Sequence, residues 1–248
     1  MEIEKKIEAP GVAYLAATLH RPDRPTEGGV VVCHGMLSSK ASQKHSRIAR
    51  GLCGRGYLAL RFDFSGRGES PGDLIGLTFT RQLGECLAAV EALRREGARR
   101  VALVGSSMGG AVAVMAAARG GVAALATMAA VGHTDLLPER AVGQKGVALW
   151  KRKGSILLDH QRVGYAWVED ARKIDLISEA AKIDCPWLIM HGECDDVVPP
   201  SDGADLQAAC RQRAELEIVP GADHRFSDDN HRDYVAGRIV DFIAGNLS

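Results

Sequence analysis

Short apolar runs alternate along the chain with segments whose apolar residues recur every three or four positions. Residues 2–8 place Ile3 and Ile7 on one side among charged neighbours, and Val12–Leu19 is a second extended stretch. Pro10-Gly11 between them predicts an antiparallel pair joined by a turn, and Arg21–Pro25 reads as a loop. Gly29–Cys33 is a short, continuous apolar run, the pattern of a strand buried on both faces of a parallel sheet. A helix carrying Ile48 and Leu52 follows and closes at Gly54–Gly56, and Tyr57–Phe62 is the next strand. Gln82–Arg95 sets Leu83, Leu87, Val90 and Leu93 on one helical stripe. Val101–Val104 is a strand and Met108–Arg119 a helix, while Val122–Ala130 reads as a strand whose alanine content also admits a helix. Pro186–Met190 and Leu216–Val219 are late strands, and Tyr234–Ile243 is a closing helix. This alternation predicts an α/β fold: a mostly parallel central sheet with an antiparallel start and helices on both faces.

Residues about 133–183 break the rhythm and are too long for a simple connection. They are read as a cap inserted into a single domain spanning residues 1–248, with extended stretches around Val147–Trp150, Ser155–Leu158 and Tyr165–Val168. Lys plus Arg and Asp plus Glu each number 31, so the formal net charge is zero, which argues against a nucleic-acid binder. The longest near-apolar run, Val122–Val131, is about half of a transmembrane span. Met1–Pro10 mixes charges with isolated apolar residues and has no signal-peptide core. The six cysteines are dispersed without a C-x-x-C pair, and a reducing cytoplasm is the expected compartment. With no spanning or signal segment read in the chain, no membrane partner is expected.

The sharpest chemical signal is Gly105-Ser106-Ser107-Met108-Gly109, between an apolar strand and an alanine-rich helix. That is the setting of a G-x-S-x-G nucleophile elbow, whose tight turn demands small residues two before and two after the nucleophile. Gly105 and Gly109 meet the demand around Ser107; the corresponding neighbours of Ser106 are Val104 and Met108. A serine hydroxyl needs a base, and the base needs an acid to hold it. For such an elbow the partners follow in the order Ser, Asp or Glu, His. Asp195 and its neighbour Asp196 lie just beyond one late strand, and His224 just beyond the next. Asp135 is a lesser rival for the acid, and His231 falls on the last helix as a surface residue.

Together these motifs resemble the α/β-hydrolase superfamily over residues 10–245, apart from the cap. H-G-x-x-D-x-x-V-P, present as His191–Pro199, matches a recurrent pattern whose aspartate falls on Asp195, and G-x-x-H falls on Gly221–His224. His34-Gly35 matches the family's oxyanion turn, which implies Met36 as one backbone donor beside Met108 after the nucleophile. Asp63–Ser70 matches the D-x-x-G-x-G-x-S segment. Within the superfamily, the cap placement and motifs are similar to small bacterial feruloyl- and cinnamoyl-esterase-like enzymes. The resemblance implies a serine hydrolase of carboxylic esters with the triad Ser107, Asp195 and His224. Acyl thioesterase, C–C hydrolase and peptidase activities would use the same triad. A non-catalytic ligand-binding member of the fold is the rival of a different class, against which the intact triad argues. No metal or organic cofactor is implied.

Other residues receive plainer readings. His34 orients the loop that presents Met36, His191 packs at a strand end, Asp63 is a structural turn residue, and Cys194 fills space beside the acid loop. Gly66–Pro71 departs from G-x-G-x-x-G because proline replaces the third glycine, and no H-E-x-x-H zinc motif occurs. The basic run Arg94–Arg100 suits a helix C-terminus better than a nucleic-acid patch. In the cap, Trp150, Tyr165 and Trp167 are candidate walls of an acyl or aryl pocket. The cap's many charges do not make the wide apolar face of a membrane-docking lid, so small or medium soluble esters are expected over triglycerides. A small-molecule ester is the expected partner, and a homodimer is admitted.

Overall fold

A computed structural model describes residues 1–24, 26–210 and 213–248; Pro25, assigned to a loop above, lies outside the described residues. In chain order the elements are β1 (Glu2–Ala9), β2 (Val12–His20), β3 (Gly28–Cys33), α1 (Gln43–Gly54), β4 (Leu58–Phe62), α2 (Phe79–Arg95), β5 (Arg100–Ser106), α3 (Met108–Ala117) and β6 (Ala124–Met128). There follow α4 (Leu137–Lys153), β7 (Ser155–Leu158), β8 (Gln161–Gly164), α5 (Ala166–Ala171), α6 (Leu176–Ala180), β9 (Trp187–Gly192), α7 (Pro200–Ala209), β10 (Ala214–Val219) and α8 (Asp229–Leu247). The eight-stranded sheet has the order β1-β2-β4-β3-β5-β6-β9-β10. Within this sheet, among the described residues, only the β1–β2 and β2–β4 pairs are antiparallel.

The apolar runs become strands because both faces of the sheet are covered. Along β3, Val30 and Val32 face the core under α1 and α8, whereas Val31 and Cys33 face the core under α2 and α3. This is the two-residue period of a strand sandwiched between helical layers. The alanine-rich run after α3 is a strand, β6, because β5 and β9 flank it and satisfy its backbone. α2 starts three residues before the expected Gln82: Thr78 caps it by accepting the Arg81 N–H at 3.0 Å. α8 likewise begins at Asp229, capped by Asp228.

The chain runs from β3 to β4 on one side of the sheet and then crosses to β5 on the other side of β3. The crevice at the carboxyl ends of β3 and β5 is thus a topological switch point, where ligands bind in open α/β sheets.

Between β6 and β9 lie α4, the β7–β8 hairpin, α5 and α6. Of the three extended stretches expected there, Ser155–Leu158 is a strand, β7, paired with β8. Val147–Trp150 is instead helical, within α4, and Tyr165–Val168 enters α5. The reason is burial on one helical face: Val147 and Trp150, three residues apart, are both buried, as are Trp167, Val168 and Ala171. Trp150 and Trp167 stack with ring centroids 5.5 Å apart. α4 is broken at Gly143 (φ 67°, ψ 167°) and ends with Lys151–Lys153 and a left-handed Gly154. The insertion is tied to the sheet layer by Asp202 of α7, wholly buried, which accepts from the Gly132 N–H at 2.8 Å and from Arg140 at 2.8 and 3.0 Å.

Three buried histidines, His20, His34 and His45, are held neutral, with burial as the first cause of each lowered pKa; for His20 and His34 the value falls to about 4. In an unfolded chain each titrates near about 6.5. Between these values the unfolded chain binds more protons, so stability falls as pH drops from about 6.5 toward 4. His20 and His34 should each contribute a loss of ~2 kcal/mol between pH 7 and pH 5. Urea denaturation at the two pH values measures the sum, and a pH-independent midpoint would contradict this assignment.

Candidate active site

Ser107 sits where β5 turns into α3, with φ 54° and ψ −123°. A residue other than glycine rarely adopts a positive φ, and here it lifts the hydroxyl out of the turn. The turn closes only because its neighbours lack Cβ atoms. A Cβ at Gly105 would come 2.7 Å from Gly110 Cα, and one at Gly109 would come 2.6 Å from the Cys33 carbonyl oxygen. Gly105 thus lets α3 start close against the end of β5, and Gly109 lets it pack against the end of β3.

His224 and Asp195 reach Ser107 from the loops after β10 and β9. His224 Nε2 is 3.1 Å from Ser107 Oγ, and His224 Nδ1 is 2.8 Å from Asp195 Oδ2. The two loops are laced together: Glu193 N–H donates to the Val219 carbonyl, Cys194 N–H to the Ala222 carbonyl, and Gly221 N–H to the Glu193 carboxylate, at 2.9–3.0 Å. Asp195 Oδ1 accepts from the N–H groups of Val197 and Val198 at 3.0 and 2.8 Å. Burial alone would raise the Asp195 pKa, but hydrogen bonds from His191, His224 and the Val198 N–H outweigh it and hold the carboxyl well below its usual range. An ionised Asp195 selects the His224 tautomer with hydrogen on Nδ1. Nε2 is left to accept from the serine hydroxyl.

The rivals for these roles stand apart from the chain of hydrogen bonds. Asp196 and Asp135 are exposed, and His231 is half-buried on α8. Asp63 is buried in a turn, accepting from the N–H groups of Lys40 and Glu69 at 2.6 and 3.0 Å. Gly68 (φ 51°) packs so tightly on that carboxylate that no side chain fits there. Cys194 does not fill space as expected: its side chain is exposed, and only its backbone ties the loops.

Met36 and Met108 border the same pocket as Ser107 and His224, and neither N–H has an acceptor among the described residues. The Met36 N–H is aimed through its own peptide. The carbonyl of that peptide, on Gly35, accepts from His34 Nδ1–H at 2.7 Å and from the Ser38 N–H at 3.1 Å. Carbonyl and N–H point opposite ways in a trans peptide, so pinning one directs the other. His34 is itself fixed by the Phe64 N–H, which donates to Nε2 at 3.0 Å. Arg67 clamps the loop by donating to the Leu37 and Ser38 carbonyls at 2.9 and 3.1 Å.

Sequence reasoning passed over two of these contacts. Arg67 lay in a recognised motif, but nothing in its spacing pointed to the Met36 loop. His191 was read as packing; its Nε2 lies 2.9 Å from the Val198 carbonyl and 3.3 Å from Asp195 Oδ2, so it braces the Asp195 carboxylate. Of the three cap aromatics, Trp167 borders the pocket, whereas Trp150 is buried under the hairpin with its N–H donating to the Val163 carbonyl at 3.0 Å. The pocket has a volume of about 630 Å³. Leu137, Ala141 and Leu158 of the insertion supply apolar wall. Among the described residues, no group of three or more His, Cys, Asp or Glu side chains is arranged to hold a metal ion.

The chain is 28% identical to a bovine protein named palmitoyl-protein thioesterase ABHD10, mitochondrial, over 91% of this chain and 79% of that one. Its human counterpart is 28% identical over 73% of this chain and 64% of its own length. Est1E from Butyrivibrio proteoclasticus, solved with ferulic acid bound, superposes with a TM-score of 0.85 at 22% identity, covering 98% of this chain and 99% of that one. Mouse alpha/beta hydrolase domain-containing protein 10 gives a TM-score of 0.80 at 22% identity, with coverage of 99% and 100%. At these identities the two structures speak for the fold. The profile of the alpha/beta hydrolase family matches residues 30–238, from β3 into α8, and the chain belongs to that family.

Proposed function

We propose that the protein is a serine hydrolase that cleaves carboxylic esters of small or medium soluble substrates through an acyl-enzyme. The observation that carries this reading is the continuous hydrogen-bonded chain Asp195–His224–Ser107, whose histidine and serine line a pocket bordered by two N–H groups without an acceptor among the described residues. Ser107 Oγ attacks the acyl carbon as His224 Nε2 takes its proton, and Asp195 stabilises the imidazolium so formed. The carbonyl oxygen becomes an oxyanion held by the N–H groups of Met36 and Met108; one such donor is commonly worth about 3–4 kcal/mol. His224 then gives its proton to the leaving oxygen as the bond to carbon breaks. Water, deprotonated by the same imidazole, attacks the acyl-enzyme and regenerates Ser107.

Acyl thioesters are the second reading, favoured by the thioesterase name of the bovine and human relatives. A thiolate leaves more readily than an alkoxide, so the same triad serves both bonds. Purely non-catalytic binding is disfavoured by a serine held in a strained turn with its base and acid aligned, since binding alone has no use for that cost. The six cysteines are unpaired, which suits the reducing cytoplasm proposed for the chain and equally a mitochondrial interior. No helix among the described residues is long and apolar enough to cross a membrane.

Asp195→Asn should lower kcat for an aryl ester by roughly four orders of magnitude, because the amide stabilises the wrong histidine tautomer. Asp196→Asn should stay within about twofold of the parent, as expected of an exposed residue. The reverse ranking in steady-state kinetics would move the acid to Asp196. A panel of para-nitrophenyl esters of rising chain length, with matched acyl thioesters beside it, separates the two substrate readings. The first reading expects kcat/KM to be greatest for an ester; a consistent thioester advantage would select the second.

A further inference from the structure

We infer that the pocket accepts esters bearing a second, anionic group, a carboxylate or a phosphate, and that Lys44 selects for it. This rests on the hydrolase reading above. Lys44 is the second residue of α1 and lines the pocket beside His224 and Arg225. It is half-buried, yet its ammonium makes no ion pair or hydrogen bond among the described residues and sits instead over the face of Phe226, 5.6 Å from the ring centroid. Lys40, by contrast, is paired with both Glu4 and Glu69, at 3.2 and 2.7 Å. A cation taken partly out of water without a partner costs free energy, and an arriving anion would offset that cost.

Asp223 and Asp195 attract Lys44 from a distance, but neither bonds to it. Asp223 accepts from the Ser227 N–H at 2.8 Å, and Asp195 is held by His224, Val197 and Val198. Asp159, at the tip of the β7–β8 hairpin, also borders the pocket but is exposed and has no partner among the described residues. Against it stand Lys44, Arg225 and Arg232. Arg225 is exposed and unpaired among the described residues, and Arg232 is partly neutralised by Asp229 at 3.1 Å.

The helix adds to the same field. α1 has no acidic residue in its first turn, and Ser42 does not cap it through its side chain. Its first N–H groups and the positive end of its dipole therefore share the wall with Lys44. A lysine in a helix's first turn opposes the dipole, so Lys44 gains nothing from the helix there. Burial also draws the Lys44 pKa down to about 8, which leaves the ammonium mostly charged at neutral pH. With apolar wall from the insertion and a cationic wall from α1, the pocket fits an amphipathic substrate: an apolar body, an ester at Ser107 and an anion at Lys44.

Two matched pairs test this and locate the anion. Mono(para-nitrophenyl) suberate against para-nitrophenyl octanoate places the carboxylate on the acyl side. Para-butyryloxybenzoate against its methyl ester places it on the leaving group. In at least one pair the anionic member should have the higher kcat/KM. Lys44→Met should cut the anionic-to-neutral ratio by roughly tenfold or more, chiefly through KM, and Lys44→Arg should restore most of it. Neutral esters preferred in both pairs, or a ratio unmoved by Lys44→Met, would overturn the anion site while leaving the hydrolase reading intact. Failure of the folded parent protein to turn over any of the four esters would remove the hydrolase reading and this inference with it.

Discussion

The site depends on one close approach, that of α3 to the carboxyl end of β3. Gly109 lies so near the Cys33 and His34 carbonyls that any side chain would force the helix away. That approach puts the first turn of α3, with a Met108 N–H that has no acceptor among the described residues, beside the loop that carries Met36. It also holds Ser107 at φ 54°, a conformation the serine would not keep in isolation. The remaining supports serve this crevice. His34 and Arg67 fix the Met36 loop, and Asp63 with Gly68 fixes the turn from which Arg67 reaches.

The second demand is electrostatic. A buried carboxylate is costly unless donors surround it. Asp195 has two backbone N–H donors on one oxygen and two imidazoles near the other, which keeps it ionised and leaves His224 one role toward Ser107. The loops carrying Asp195 and His224 come from adjacent strands and bond directly to each other. Their relative position is set by the β9–β10 register rather than by the cap.

Much of this was legible in the chain because it follows from short-range constraints. Continuous apolar runs can satisfy their backbone only inside a covered sheet, and Gly105, Gly109 and Ser107 carry their steric logic within five residues. The insertion was less legible. Val147–Trp150 and Tyr165–Val168 were read as extended because short apolar stretches look alike in either periodicity. The decisive signals were Lys151–Lys153 followed by Gly154, a basic last turn and a left-handed stop, which mark a helix C-terminus. The braces His191 and Arg67 could not be read at all. Their contacts depend on how a loop folds back, and no spacing records that. Lys44 is similar: as a residue in a sequence it is an ordinary helix lysine, and only the fold leaves it on a pocket wall without a partner among the described residues.

The central claim is that Ser107 is a nucleophile activated by its surroundings. Treating the native protein with a fluorophosphonate and mapping the adduct by mass spectrometry asks this directly. The account predicts one adduct, on the peptide containing Ser107, that disappears in Ser107→Ala and forms far more slowly in His224→Ala. A folded protein that takes no label, or takes it at another residue, would contradict it.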